Sequence, residues 1–84
     1  SLSNNYPNPF NPSTKITYSI PERSNVSLKV FDLLGSEVAE LVKGEIEVGS
    51  YVIEFNAASL PSGVYFYRLQ AGPYIQSRKM ILLK

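Results

Sequence analysis

Alternation of apolar and polar residues with a period of two is the feature that most constrains this chain. Only an extended strand places every second side chain on one face. The first alternating segment runs from Thr14 to Ile20, and further short segments follow at Val26–Leu33, Ser36–Val42, Tyr51–Phe55, Gly63–Ala71 and Tyr74–Leu83. Six such segments separated by turns predict an all-β fold, an immunoglobulin-like antiparallel β-sandwich of six to seven short strands.

The alternation also predicts the core. The residues expected to point inward are apolar and two apart: Ile16, Tyr18, Ile20, Val26, Leu28, Val30, Tyr51, Ile53, Phe55, Tyr65, Tyr67, Leu69, Met80 and Leu82. The fifth and sixth segments carry apolar residues on their outer faces as well, which suggests that part of each outer face meets another domain.

Turn residues separate these segments. Asp32 and Gly35 stand at the first and fourth positions of an expected type I turn, and Pro61 and Gly63 stand at the second and fourth positions of another. Gly72, followed by Pro73, suits a type II′ hairpin, because glycine accepts a positive φ at the first central position. The stretch 43–49 is predicted to be a polar connection.

One segment is open to a second interpretation. Val38, Leu41 and Val42 stand at near-helical spacing, and no proline or glycine interrupts Ser36–Lys43. A short helix is therefore the alternative to the third strand.

Residues 1–13 differ in composition from the rest, with three of the six prolines, four asparagines and no charge. Proline fixes φ, removes a backbone donor and drives the preceding residue to extended geometry. We therefore separate 1–13, an entry segment or the end of a linker, from a sandwich domain at 14–84. If residues 1–13 are an entry segment that packs on the sheet, Tyr6 and Phe10 are its expected apolar anchors.

Length and composition exclude several function classes. The chain has 84 residues, enough for one domain, with neither cysteine nor histidine. Disulfides, zinc sites built on thiolate or imidazole, and Ser–His or Cys–His nucleophiles are therefore excluded. A net charge of +1 argues against a phosphate-neutralising nucleic-acid binder, and no apolar run is long enough for a membrane helix. We expect a monomer without metal or other cofactor.

Acidic residues are the remaining catalytic candidates, since paired carboxylates hydrolyse glycosides. The candidates are Asp32, Glu37, Glu45, Glu47 and Glu54. Asp32 is accounted for by its turn, and Glu45, Glu47 and Glu54 alternate with apolar positions, as solvated strand faces do. The aromatic strand at 63–69 is weakly similar to a base-stacking RNA-binding strand, but Arg68 is the only cation near it. No catalytic residue is predicted.

The C-terminal stretch has two interpretations. Basic Arg78 and Lys79 precede four apolar residues, and Lys84 closes the sequence as its expected natural terminus. One interpretation is an edge strand in which lysine discourages pairing with other chains. The other is an exposed strand that a receptor reads by strand addition or by capture of its end.

The ordered set of landmarks carries a resemblance. Asn5–Thr14 is followed by Ile16–Tyr18, Val30–Val38, Leu60–Leu69 and Lys79–Lys84. This set resembles the type A C-terminal sorting domain of the type IX secretion system, found on secreted proteins of Bacteroidota and related bacteria. By this resemblance Asp32, Gly35, Gly63 and Tyr65 match structural motifs of the family, and Lys79 and Lys84 match its basic terminal motif. Together with the turn and tail interpretations, we predict sorting or recognition residues and structural residues. The first set is Lys79, Met80, Ile81, Leu82, Leu83 and Lys84, and the second is Asp32, Gly35, Pro61, Gly63, Tyr65 and Gly72.

The resemblance implies a non-catalytic domain at the end of a larger cargo. Its implied partners are the outer-membrane secretion machinery, a surface sortase and the upstream cargo domain, and its implied location is outside the cell or on its surface, by way of the periplasm. Two alternatives remain: the similar immunoglobulin-like module of flagellar hook-capping proteins, and an accessory module that binds carbohydrate.

Overall fold

The computed structural model describes all 84 residues and contains only β-strands and their connections. No helix is present, and so none that is long and apolar enough to cross a membrane. The all-β prediction is confirmed. The six strands are β1 (Ser13–Ile20), β2 (Ser24–Phe31), β3 (Glu37–Ile46), β4 (Gly49–Asn56), β5 (Gly63–Ala71) and β6 (Tyr74–Leu82).

Two sheets form the sandwich, and every pair of adjacent strands in them is antiparallel. The smaller sheet contains β1 and β4, and the larger has the order β3-β2-β5-β6. The hairpins β2–β3 and β5–β6 lie within the larger sheet, whereas the other connections cross between the sheets. β5 lies in the interior of the larger sheet and β6 at its edge.

The inward-facing residues form the core between the sheets, as the alternation predicted. Ile16, Leu28, Tyr67 and Met80 each have less than 1% of their surface exposed. Tyr51 and Ile53 are only partly buried and pack against the rim of this core. Apolar burial of this kind is the main force that holds a small sandwich together.

The third segment is a strand, and the helical alternative is wrong. β3 pairs with β2 along its whole length, with irregularities opposite Leu28–Lys29 and Val30–Phe31. At these two points Leu41 and Val38 have no partner in the register, as in a β-bulge. Each extra residue shifts the alternation by one, which produces the spacing of Val38, Leu41 and Val42 that resembles a helix.

The prediction of a polar connection at 43–49 is wrong for most of its length. β3 continues to Ile46, and Gly44 and Glu45 pair with Val26 and Asn25. Arg23 lies 3.0 Å from a carboxylate oxygen of Glu45 and 3.2 Å from one of Glu47. All three side chains are largely exposed, so these ion pairs contribute little to stability.

Residues 1–13 pack along both sheets. Leu2 and Tyr6 form antiparallel bridges to Tyr18 and Lys15 of β1, and Phe10 then forms a parallel bridge to Leu82 of β6. The segment thus passes from the edge of one sheet to the edge of the other. Phe10 is buried as expected, with its ring 6.3 Å from that of Phe55.

The prediction that Tyr6 anchors this segment is wrong, since 81% of its surface is exposed. The second anchor is Leu2, which is 2% exposed. Asn5 and Thr14 fix the segment between the anchors. The Asn5 amide donates to Thr14 Oγ1 at 3.1 Å, and the Thr14 hydroxyl donates to the carbonyl of Pro7 at 2.8 Å.

Candidate functional site

The turn between β2 and β3 is held by the two residues that the sequence singled out. The backbone carbonyl of Asp32 accepts from Gly35 N at 3.0 Å, and its carboxylate oxygen Oδ1 accepts from Leu34 N at 3.0 Å and Ser36 N at 2.9 Å. Gly35 has a φ of +88°, which residues with a side chain rarely adopt. The bonding fits the predicted type I turn, and the structure adds that the glycine at its fourth position is left-handed.

The predicted turn at Leu60–Gly63 is displaced. The hydrogen-bonded turn is Ala57–Leu60, where Leu60 N donates to Ala57 O at 3.0 Å and Ala58 N donates to the side chain of Asn56. Gly63 lies instead at the start of β5 with a nearly extended φ of +158°.

Pro61 and Tyr65 are joined just after this turn. The buried Tyr65 hydroxyl donates to the Pro61 carbonyl at 2.6 Å. A tyrosine that binds the backbone a few residues upstream is the corner device of immunoglobulin-like sandwiches.

The β5–β6 hairpin forms where Gly72 and Pro73 predicted it. Ala71 pairs with Tyr74 across a two-residue loop, and Gly72 has a φ of +59°. A positive φ at the first central position, followed by proline with its fixed negative φ, is the geometry of a type II′ turn. Gly72 lies at the end of the sandwich opposite to the Asp32–Gly35 turn.

The predicted recognition residues of β6 divide into buried and accessible ones. Met80 and Leu82 have no measurable exposure and lie in the core, as the alternation predicted. Lys79 and Ile81 point to the outer face of the larger sheet, where Lys79 is exposed and Ile81 is partly buried. Leu83 and Lys84 follow the strand and are both exposed.

The outer edge of β6 is not open along its whole length, contrary to the expectation of an exposed terminal strand. Phe10 N donates to Ile81 O at 3.0 Å, and Leu83 N donates to Phe10 O at 3.0 Å. Asn8 Oδ1 accepts from Ile81 N, also at 3.0 Å. Residues 8–10 therefore already fill the positions that an added strand would take beside 81–83.

Several of the predicted residues meet at one end of the sandwich. We define the C-terminal pole as this end, which carries the Asp32–Gly35 turn, residues 61–63 and residues 83–84. A shallow groove separates Leu33 and Leu34 of the turn from Ser62–Tyr65. Ser62 Oγ also accepts from Lys84 N at 3.0 Å, so Ser62 lies between the turn and the tail.

Neither Lys79 nor Lys84 has a carboxylate partner. The ion pairs of the structure join Arg23 to Glu45 and Glu47, and Lys29 to Glu37. The ammonium group of Lys84 instead donates to the backbone carbonyl of Ala58 at 2.5 Å. The tail thus presents two lysines that belong to none of these ion pairs, with apolar side chains between them.

The acidic side chains are dispersed over the structure or engaged in its turns. No group of three or more acidic side chains lies close enough to hold a metal ion. The carboxylate of Asp32 is engaged by two backbone amides, and Glu54 lies on the exposed face of β4. Tyr65 and Tyr67 of β5 are buried, so they form no exposed aromatic platform.

Two contacts of the N-terminal segment were not predicted from the sequence. The Tyr67 hydroxyl donates to the carbonyl of Ser3 at 2.6 Å, and burial raises the pKa of Tyr67 above its ordinary value. Arg78 Nε donates to the carbonyl of Leu2 at 2.7 Å. The sequence contained one indication of these contacts: Tyr67 and Arg78 each place a polar group at an inward position of a strand.

Comparison with known proteins identifies one family. The family model described as the secretion system C-terminal sorting domain matches residues 4–83. A search of the curated proteins finds no match to the chain.

Proposed function

The chain belongs to the family of secretion system C-terminal sorting domains, and from that premise we propose that it directs a larger cargo protein across the outer membrane by the type IX system. The match over residues 4–83 is the observation that carries this proposal, because it spans most of the N-terminal segment, both sheets and nearly all of the tail. The family assignment favours sorting over the hook-capping and carbohydrate-binding alternatives.

We propose that the tail is read through its accessible side chains, those of Lys79, Ile81, Leu83 and Lys84. Met80 and Leu82 serve the fold, because both are fully buried. Strand addition beside 81–83 is disfavoured, since it would require residues 8–10 to leave the edge. A receptor that offers carboxylates to the two lysines and an apolar surface to Leu83 fits what the tail presents.

The domain itself is proposed to act by binding alone. Asp32, Gly35, Pro61, Gly63, Tyr65 and Gly72 shape turns or strand ends, so their role is to present the tail rather than to react. The proposed partners are the outer-membrane secretion machinery, a surface sortase and the upstream cargo. The proposed destination is the cell surface or the medium, reached through the periplasm.

Fusion of the domain to a periplasmic reporter tests this function. The reporter is expressed with and without the domain in a bacterium that has the type IX system, and in the same bacterium without its outer-membrane translocon. We expect reporter outside the outer membrane only when both domain and translocon are present. Periplasmic retention of a folded intact fusion in the competent strain would contradict the proposal.

A further inference from the structure

The Asp32–Gly35 turn exposes two leucines at its tip. Leu33 and Leu34 have 68% and 91% of their surface exposed. Single exposed apolar residues are common on protein surfaces, whereas contiguous exposed apolar patches mark interaction sites. Leu83, which is 56% exposed, lies at the same pole.

The fold does not require leucine at either position. The turn is fixed by the carboxylate of Asp32 and by the left-handed backbone of Gly35. The central positions of a type I turn accept most residue types, and surface turns are usually polar there. Folding therefore gives no reason for two large apolar side chains at the tip.

The tip is close to the tail. β2, which leads into the turn, and β6, which leads into the tail, both neighbour β5 in the larger sheet. Phe31, the last residue of β2, is level with Phe66 of β5 and through it with Lys79 of β6, two strand spacings or about 10 Å away. Ser62 bridges the gap, since it lines the groove beside Leu33 and Leu34 and accepts from Lys84 N.

We propose that Leu33 and Leu34 form a second contact for the receptor that reads the tail. This inference rests on the proposed sorting function. The partner is a protein surface with an apolar hollow for the leucines and carboxylates for Lys79 and Lys84, because neither lysine has an acidic partner within the domain. One receptor that covers Leu83 and Lys84 is near enough to cover the turn as well. The domain is then recognised only when folded, since folding brings the turn and the tail together.

The test is a double substitution, Leu33→Ser with Leu34→Ser, in the reporter fusion. Both side chains are exposed, so the variant keeps its fold, which the melting temperature of the purified domain checks. The matched control is Val48→Ser, which removes an apolar side chain that is 62% exposed in the β3–β4 turn at the opposite end. We expect the initial rate of export to fall about tenfold in the double variant, as for the loss of one strong interface contact, and to be unchanged in the control.

Each outcome decides a separate point. Export of the double variant at the intact rate overturns this inference and leaves the sorting function standing. Failure of the intact fusion overturns the sorting function itself. If sedimentation shows that the intact domain dimerises and the double variant does not, the leucines bind a second copy and the proposed receptor contact is wrong. If the double variant loses its melting transition, Leu34→Ala alone replaces it, and full export of that folded variant also counts against the inference.

Discussion

The hydroxyl of Tyr67 donates a hydrogen bond of 2.6 Å to the carbonyl oxygen of Ser3, 64 residues earlier in the chain. Tyr67 belongs to β5, the strand next to β6, and its ring has no measurable exposure. Arg78 of β6 binds the neighbouring carbonyl, that of Leu2. The two bonds attach the N-terminal segment to the sheet that ends in the tail.

Tyr67→Phe removes one of these bonds while keeping the buried ring. We expect the free energy of unfolding to fall by about 1 kcal/mol, the usual net contribution of one hydrogen bond. Chemical denaturation measures this. Tyr74→Phe is the control, because the Tyr74 hydroxyl forms its one hydrogen bond at the surface, with the side chain of Gln76. An equal loss in both variants would contradict the role assigned to the Ser3 contact.

Alkaline pH provides a second test of Tyr67. Burial raises its pKa in the folded domain above the ordinary tyrosine value of about 10. Between the pKa of the unfolded chain and the higher pKa of the folded domain, Tyr67 loses its proton in the unfolded chain and keeps it in the folded one. The contribution of the protonated Tyr67 to stability is therefore complete below about pH 10 and is lost as the pH rises further. Melting temperatures should fall less steeply above pH 10 in Tyr67→Phe than in the intact domain, and parallel curves would contradict the prediction.

Phe10→Ala tests whether the N-terminal segment is part of the folded unit. Truncation of a buried phenylalanine usually costs about 3–5 kcal/mol. A loss of this size is expected here, because Phe10 is 2% exposed and lies against Phe55. Tyr6→Ala, at a residue that is 81% exposed, should change stability by less than about 0.5 kcal/mol. If Phe10→Ala also proves neutral in urea denaturation, the segment is a linker and not a structural element.

Gly35→Val tests the turn at the C-terminal pole. The φ of +88° is strained for any side chain and most strained for a β-branched one, so we expect a loss of about 1–3 kcal/mol. Leu34→Ala, in the same turn, should be nearly neutral because Leu34 is exposed. Thermal unfolding of both variants gives the comparison. An unchanged melting temperature of Gly35→Val would show that the turn adopts another backbone conformation without cost, which contradicts the prediction.

Local patterns in the sequence predicted what depends on local chemistry. The period-two alternation gives the inward residues, and Asp32, Gly35 and Gly72 give two of the turns, because each of these depends on neighbouring residues alone. The course of β3 was harder to predict, since its two bulges break the alternation and Gly44 and Glu45 have the composition of a loop. The turn after β4 lies at Ala57–Leu60 and not at Leu60–Gly63 as predicted, because the Asn56 side chain accepts a hydrogen bond from Ala58 N.

The predictions about the N-terminal segment failed for a different reason. Leu2 and Tyr6 are both apolar residues in a proline-rich stretch, and only the partner surface decides which is buried. The same holds for the edge of β6, where residues 8–10 bind a strand more than 70 positions later. Contacts of this range leave no periodic trace in one sequence, and so the accessible part of the tail emerges only from the fold.

Export of a tail-truncated reporter fusion tests the central claim most directly. Removal of Leu83 and Lys84 deletes the Leu83 side chain, which is 56% exposed, and the hydrogen bonds of Lys84 to Ser62 and Ala58. The free energy of unfolding should fall by about 1–2 kcal/mol, and the domain should stay folded. The account predicts that the truncated fusion shows a cooperative melting transition but stays in the periplasm, while the intact fusion leaves the cell. Equal export of the two fusions would contradict the claim that the tail is the recognised part of the signal.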